Sequence, residues 1–139
     1  MWDLWTEPVV IRSYRCKSNP RILRNNSELK WRLLMISRIW HGWTTPENAD
    51  AYEALLKREV FVGIKGRGIP GFRNIQLFRR NLDEDVEFVT VMWFDSLNAV
   101  RLFAGEDYEV AVVPPAARVL LSRFDARSQH YEVRAELLR

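Results

Sequence analysis

Only two side chains of this sequence, His41 and His130, ordinarily change charge near neutral pH, so a general base is most simply one of them. His41 lies in Trp40-His41-Gly42-Trp43, where the glycine leaves room and the flanking rings could wall a flat substrate. That makes it the candidate base, although a structural histidine in a core or at a sheet edge fits the same residues. His130, near Gln129 and Glu132, reads as a solvent-facing strand residue. Two histidines with no HxxxH or HExxH spacing organise no metal site. There is no GxSxG, and the single cysteine, Cys16, stands apart from any ordered pattern, so covalent catalysis has no candidate.

Gly66-Arg67-Gly68-Ile69-Pro70-Gly71 matches GxGxxG. In nucleotide-binding folds that motif follows a strand and opens a helix, so that phosphate meets the helix N-terminus. Here it follows a helical pattern and feeds a strand, which makes it a loop, with Lys65, Arg67 and Arg73 as conceivable contacts for an anion. Asp83-Glu84-Asp85 and Asp95 read as turn and cap residues, and Trp93, Phe103 and Tyr108 as core aromatics or as pocket lining.

The elements that must position these groups follow from periodicity. Residues 36–43 are rich in β-branched and aromatic side chains and read as a first strand. Thr44-Thr45-Pro46-Glu47 then offers a helix start with either threonine as cap; Ala49, Tyr52, Leu55, Leu56 and Val60 form an inward stripe ending near Val62 or Gly63. Residues 63–71 are a glycine-rich connector, 72–82 a second strand and 87–94 a third with apolar groups on both faces. Asp95 or Ser96 caps a second helix that Gly105 stops. A further helical turn is expected at 108–113 and a third helix from Pro114-Pro115, with Val119, Leu120 and Phe124 inward. Residues 126–133 close the chain as a fourth strand. The fold class is therefore α+β, a ferredoxin-like βαββαβ arrangement on a four-stranded antiparallel sheet whose second crossover is broken in two. The two-faced third strand needs cover on its far side, and a second copy of the sheet, making a homodimer, is the economical cover.

The 139 residues suffice for one domain with a core of its own, and six tryptophans and seven phenylalanines make that core aromatic. The net charge of +3 is unevenly placed: residues 1–34 carry seven Lys/Arg against three Asp/Glu, or +4, leaving the rest at −1. The basic signal belongs to an N-terminal extension, expected to be poorly ordered, ahead of a domain at 35–136, which argues against nucleic acid as partner. No apolar run of about 18 residues suggests a membrane span, and with no secretion signal apparent the expected location is the cytoplasm.

Met35-Ile36-Ser37-Arg38-Ile39-Trp40-His41-Gly42-Trp43, the Thr44-Thr45-Pro46 helix start, Glu87-Phe88-Val89-Thr90-Val91-Met92-Trp93-Phe94-Asp95-Ser96 and Tyr131-Glu132-Val133 together resemble the antibiotic biosynthesis monooxygenase family. The likeness implies the dimeric α/β-barrel superfamily over about 35–133. A haem-degrading branch is similar, but by register its strand asparagine, helix tryptophan and haem-ligating histidine fall at His41, Phe103 and Val113. What the resemblance then implies is a monooxygenase without metal, haem or flavin, which deprotonates a phenol, quinol or anthrone and lets the anion reduce molecular oxygen. His41 would be the catalytic base, and Trp43, Trp93, Phe103 and Tyr108 would bind the small aromatic substrate. A dimeric barrel that binds a ligand, or is stress-related, without catalysing anything is the other reading.

Overall fold

The computed structural model describes residues 35–139; the N-terminal extension expected at 1–34 lies outside the described residues. The chain runs β1 (Ile36–Thr44), α1 (Pro46–Leu55), a π turn (Leu56–Val60), α2 (Phe61–Gly66), β2 (Phe72–Asn81), β3 (Val86–Phe94), α3 (Leu97–Ala104), α4 (Pro115–Leu120), β4 (Leu121–Phe124) and β5 (Gln129–Glu132). The strands form one antiparallel sheet in the order β2-β3-β1-β4, with β5 also on β1. Helices pack on one face of this sheet, giving the expected α+β, ferredoxin-like arrangement.

Local chemistry sets most element boundaries. Thr45 is the cap of α1, its hydroxyl accepting from Asn48 N at 3.3 Å with Pro46 at the first helical position. Ser96, not Asp95, caps α3 by accepting from Ala99 N at 3.2 Å. Gly105, at φ 94°, ends α3 in a conformation that L side chains rarely adopt. The first helix runs past Gly63 to Gly66, because the π turn carries the helical hydrogen bonding on into α2.

The fourth strand departs from expectation. The helix opened by Pro114-Pro115 stops at Leu120, and residues 121–124 become β4, pairing Leu121 with Thr44, Arg123 with Trp43 and Phe124 with Gly42. β5 pairs further along the same edge, from Ile36 opposite Glu132 to Ile39 opposite Gln129. One edge of β1 is thus shared by two short strands. Phe124 is accordingly a strand residue packed on Trp40, and Val119, expected inward, is 81% exposed on the outer side of α4. Residues 108–113 form no helix, because the backbone there pairs across to the chain between β4 and β5: Ala111 N donates to Ala126 O at 2.9 Å and Ser128 N to Glu109 O at 2.6 Å.

Two apolar clusters lie under the helices. One joins Ile36, Met92 and Phe94 to Ala99, Val100 and Phe103; the other joins Val86 and Phe88 to Ala49, Tyr52, Leu56 and Ala117. Phe88 and Phe94 are fully buried, so β3 supplies the centre of both clusters. Gly71, at φ 83°, lets the backbone entering β2 approach α3 so closely that a Cβ would lie 2.6 Å from the Ala99 methyl. The GxGxxG loop does run from helix to strand. Its arginines are engaged internally: Arg67 donates to Leu102 O and Phe103 O, and Arg73 grips Asp95 at 2.6 and 2.9 Å. No described helix is long and apolar enough to cross a membrane.

Candidate active site

Successive strand residues point to opposite faces, and this parity divides the candidate residues. On β1, Ile36, Arg38 and Trp40 face the helices; on β3, Val86, Phe88, Thr90, Met92 and Phe94 do so. His41, Trp43 and Trp93 therefore belong to the other face. The structure separates the proposed base from Phe103 and Tyr108 by the thickness of the sheet.

On the open face His41 Nδ1 lies 3.3 Å from Glu87 Oε1, and the other oxygen of Glu87 accepts from Arg80 Nη2. Arg80's hydrogen bond, opposed by burial and aided by its charge and by His41, holds the Glu87 carboxyl below the usual carboxylate range. The His41 ring is stacked near Trp43, which in turn carries the Arg123 guanidinium 3.8 Å from its ring centroid. Trp93 donates from Nε1 to Gln76 Oε1 at 3.0 Å. Ile39, Val89 and Val91 lie among these groups, alternating with the helix-facing set. These are pairwise contacts across the sheet face, and the cavity between sheet and helices does not reach them.

The cavity lies on the opposite side, between sheet and helices, and has a volume of about 60 Å³. Trp40, Thr90, Met92 and Ile75 form its floor. Tyr52, Leu56, Val60, Phe61 and Ile64 come from the long helical segment, Phe103 from α3, and residues 112–114 with Ala117 and Ser128 complete the wall. Of the residues expected to bind substrate, only Phe103 lines this space. Tyr108 does not line it: its ring packs edge-on against His130 at 5.1 Å, and its backbone oxygen accepts from Arg38. Val113, the position at which the resemblance by register would place a haem-ligating histidine, also lines the cavity. Among the described residues no group of three or more His, Cys, Asp or Glu could hold a metal.

The polar chemistry of the cavity comes from residues that sequence reasoning passed over. Arg38, 3% exposed, donates to the backbone oxygens of Tyr108 and Val110 and lies 2.9 Å from His130 Nε2. A guanidinium can only donate, so Nε2 accepts and the hydrogen of the neutral imidazole sits on Nδ1. Burial first, and the neighbouring Arg38 charge second, push His130 down to about 4 against a smaller opposing pull from Glu109. Burial also lowers Arg38 to about 10. His130 is therefore not the solvent-facing residue that its neighbours suggested: its pairing opposite Arg38 turns it to the helix side. Ser128, also at the cavity, is 4% exposed with its hydroxyl unpartnered among the described residues. Burial raises the Tyr52 phenol, which keeps it a neutral wall rather than an acid or base. The available signal was a lone arginine between Ile36 and Trp40, in phase with both; two polar residues in a row, Ser37 and Arg38, hid that phase.

No protein-family model and no curated protein matches the sequence. Solved structures do match. A Bacillus cereus protein described as an antibiotic biosynthesis monooxygenase superposes with a TM-score of 0.56 at 12% identity, covering 76% of this chain and 99% of its own. A conserved protein from Methanosarcina mazei Go1 gives 0.55 at 12% identity, over 75% and 97%. SnoaB, a cofactor-independent oxygenase from Streptomyces nogalater, gives 0.50 at 20% identity, over 76% and 98%. At these identities the likeness is one of fold, and the fold of this chain from β1 to β5 is that of the antibiotic biosynthesis monooxygenases.

Proposed function

We propose that the protein is a monooxygenase-like enzyme that oxidises a small phenol, quinol or anthrone with molecular oxygen, without metal, haem or flavin, in the cavity between sheet and helices. The observation that carries this reading is an aromatic-walled cavity lined, among the described residues, by a single buried cation, Arg38. In such a reaction the substrate loses its acidic proton to solvent, the electron-rich anion transfers an electron to oxygen, and the pair combines to a peroxide anion that takes a proton back to become a hydroperoxide. Loss of water then leaves one oxygen atom in the product carbonyl and the other in water. The protein's part is to hold the ring, favour its anion and keep bulk water away. His41, across the sheet, is given no part in proton removal; the face that carries it, with Ile39, Val89, Val91 and Trp93, is the surface on which a second copy packs as a homodimer.

The small volume favours a second reading, a barrel that binds its ligand without turnover, since pockets for drug-sized ligands run to roughly 300–1,000 Å³. Oxygen uptake with a panel of one- and two-ring quinols, naphthols and anthrones separates the two. Consumption above the uncatalysed rate, with labelled oxygen in the product, supports oxidation; binding without consumption throughout the panel supports the alternative. His41→Ala is expected to keep the wild-type rate, and a loss of 100-fold, the scale of a missing general base, would reinstate His41 as the base.

A further inference from the structure

We propose that Arg38 and Ser128 form an oxyanion hole in the cavity wall that takes the aromatic ligand as its phenolate; this rests on reading the cavity as the substrate site. The described partners of Arg38 are all neutral: two backbone oxygens and the imidazole of His130. Its guanidinium also lies over the Phe103 ring, 5.5 Å from the centroid. A cation taken out of water without a counter-charge is costly, and what relieves that cost is an anion brought to it. Guanidinium has five N–H groups, and three contacts leave two of them without a described partner.

Ser128 supplies the independent observation. Its backbone N–H is tied to Glu109 O at 2.6 Å, and its buried hydroxyl, lining the same cavity, has no partner among the described residues. A buried hydroxyl left so is uncommon unless something else fills its bonding capacity. Arg38 reaches the cavity from β1 and Ser128 from the residue just ahead of β5, where Arg38 pairs with His130, two residues beyond Ser128. Among the described residues no Asp or Glu lines the cavity, so its polar groups present a positive pole with no negative one.

These features specify the ligand. A neutral arene would leave Arg38 uncompensated, whereas a phenolate lays its ring on the apolar walls and its one charged atom at the donors. His130 is a positioning residue here: as a neutral acceptor it fixes Nη1 of Arg38 without neutralising the charge.

The test uses para-nitrophenol, whose phenolate is coloured and whose phenol is not, titrated with the full chain across pH while absorbance and tryptophan fluorescence are followed. The bound probe should ionise at least one pH unit below the free probe, which is a preference for phenolate over phenol of tenfold or more. Arg38→Gln should abolish the shift. Because that variant disturbs a buried network, Ser128→Ala, which removes only an unpartnered hydroxyl, provides the second arm and should reduce the preference by about two- to tenfold. An unshifted bound probe, tighter binding of benzoate than of para-nitrophenol, no binding of either, or an unchanged Ser128→Ala would each overturn the oxyanion hole. A shifted probe with no oxygen consumption anywhere in the quinol panel would reject the oxidation and keep this site; turnover with an unshifted probe would do the reverse.

Discussion

Acidification should weaken this protein through His130, and the size of the effect follows from where the ring sits. Its neutral form accepts from Arg38, and burial together with that cation holds it down to about 4 from an ordinary 6.5. In that interval the unfolded chain takes up a proton that the folded chain refuses. Stability from this source is therefore complete above about 6.5 and declines as the pH falls towards about 4. At about 1.4 kcal/mol per unit the ceiling would be roughly 3 kcal/mol. The ring is only partly shielded from solvent, so roughly 1–2 kcal/mol is the reasonable expectation. Urea unfolding followed by tryptophan fluorescence at several pH values measures it, with constant slope in urea as the check on two-state behaviour. His130→Gln is the comparison, since its amide oxygen can still accept from Arg38 and cannot titrate. Carboxylates held low by basic partners, such as Glu53 and Glu87, lose their contribution at lower pH and do so in both proteins. If wild type and His130→Gln lose stability in parallel between those limits, the assignment of a half-buried neutral imidazole is wrong.

Other perturbations test other parts of the fold. Gly71→Ala should cost about 1–2 kcal/mol for its left-handed backbone and about 1–3 kcal/mol more for crowding Ala99; adding Ala99→Gly should return only the second part, and a double-mutant cycle in urea with no coupling would refute the close approach. Ser96→Ala should lower stability by about 1 kcal/mol through loss of the α3 cap, and no change in the urea midpoint would count against it. Light scattering at micromolar concentration should give a dimer mass, and Val89→Lys on the open face should give a folded monomer; a monomeric wild type would remove the homodimer.

What could be read from the sequence was mainly what is decided locally. The Thr45-Pro46 start, the Ser96 cap and the Gly105 stop depend on hydrogen bonds within a few residues, and each stands where side-chain chemistry demanded. Phe124 and Val119 were misplaced because a helical pattern continues through 121–124, and only pairing with β1 turns that stretch into a strand. The face of His41 was ambiguous for a related reason: β1 carries tryptophans on both faces, Trp40 inward and Trp43 outward, so apolar alternation gives no phase. Arg38, Ser128 and His130 are polar residue types that usually meet water. Their burial together arises from strand pairing and from the 109–111 segment crossing to 126–128, neither of which periodicity reports.

The π turn at Leu56–Val60 bears on how this cavity tolerates insertion and deletion. A π turn accommodates one residue more than an α turn, and one residue corresponds to about 100° of rotation about the helix axis. Tyr52 lies before it and Phe61 and Ile64 after it, yet all three reach the same space. Deleting a single residue from 56–60 would relax the turn to an unbroken α-helix and leave Phe61 and Ile64 on the cavity, because the π turn already absorbs the extra residue. Helical phase, as much as residue identity, therefore decides which side chains meet a ligand: an unbroken α-helix of the same length would turn Phe61 to the side opposite Tyr52, and the π turn is what keeps both on the cavity.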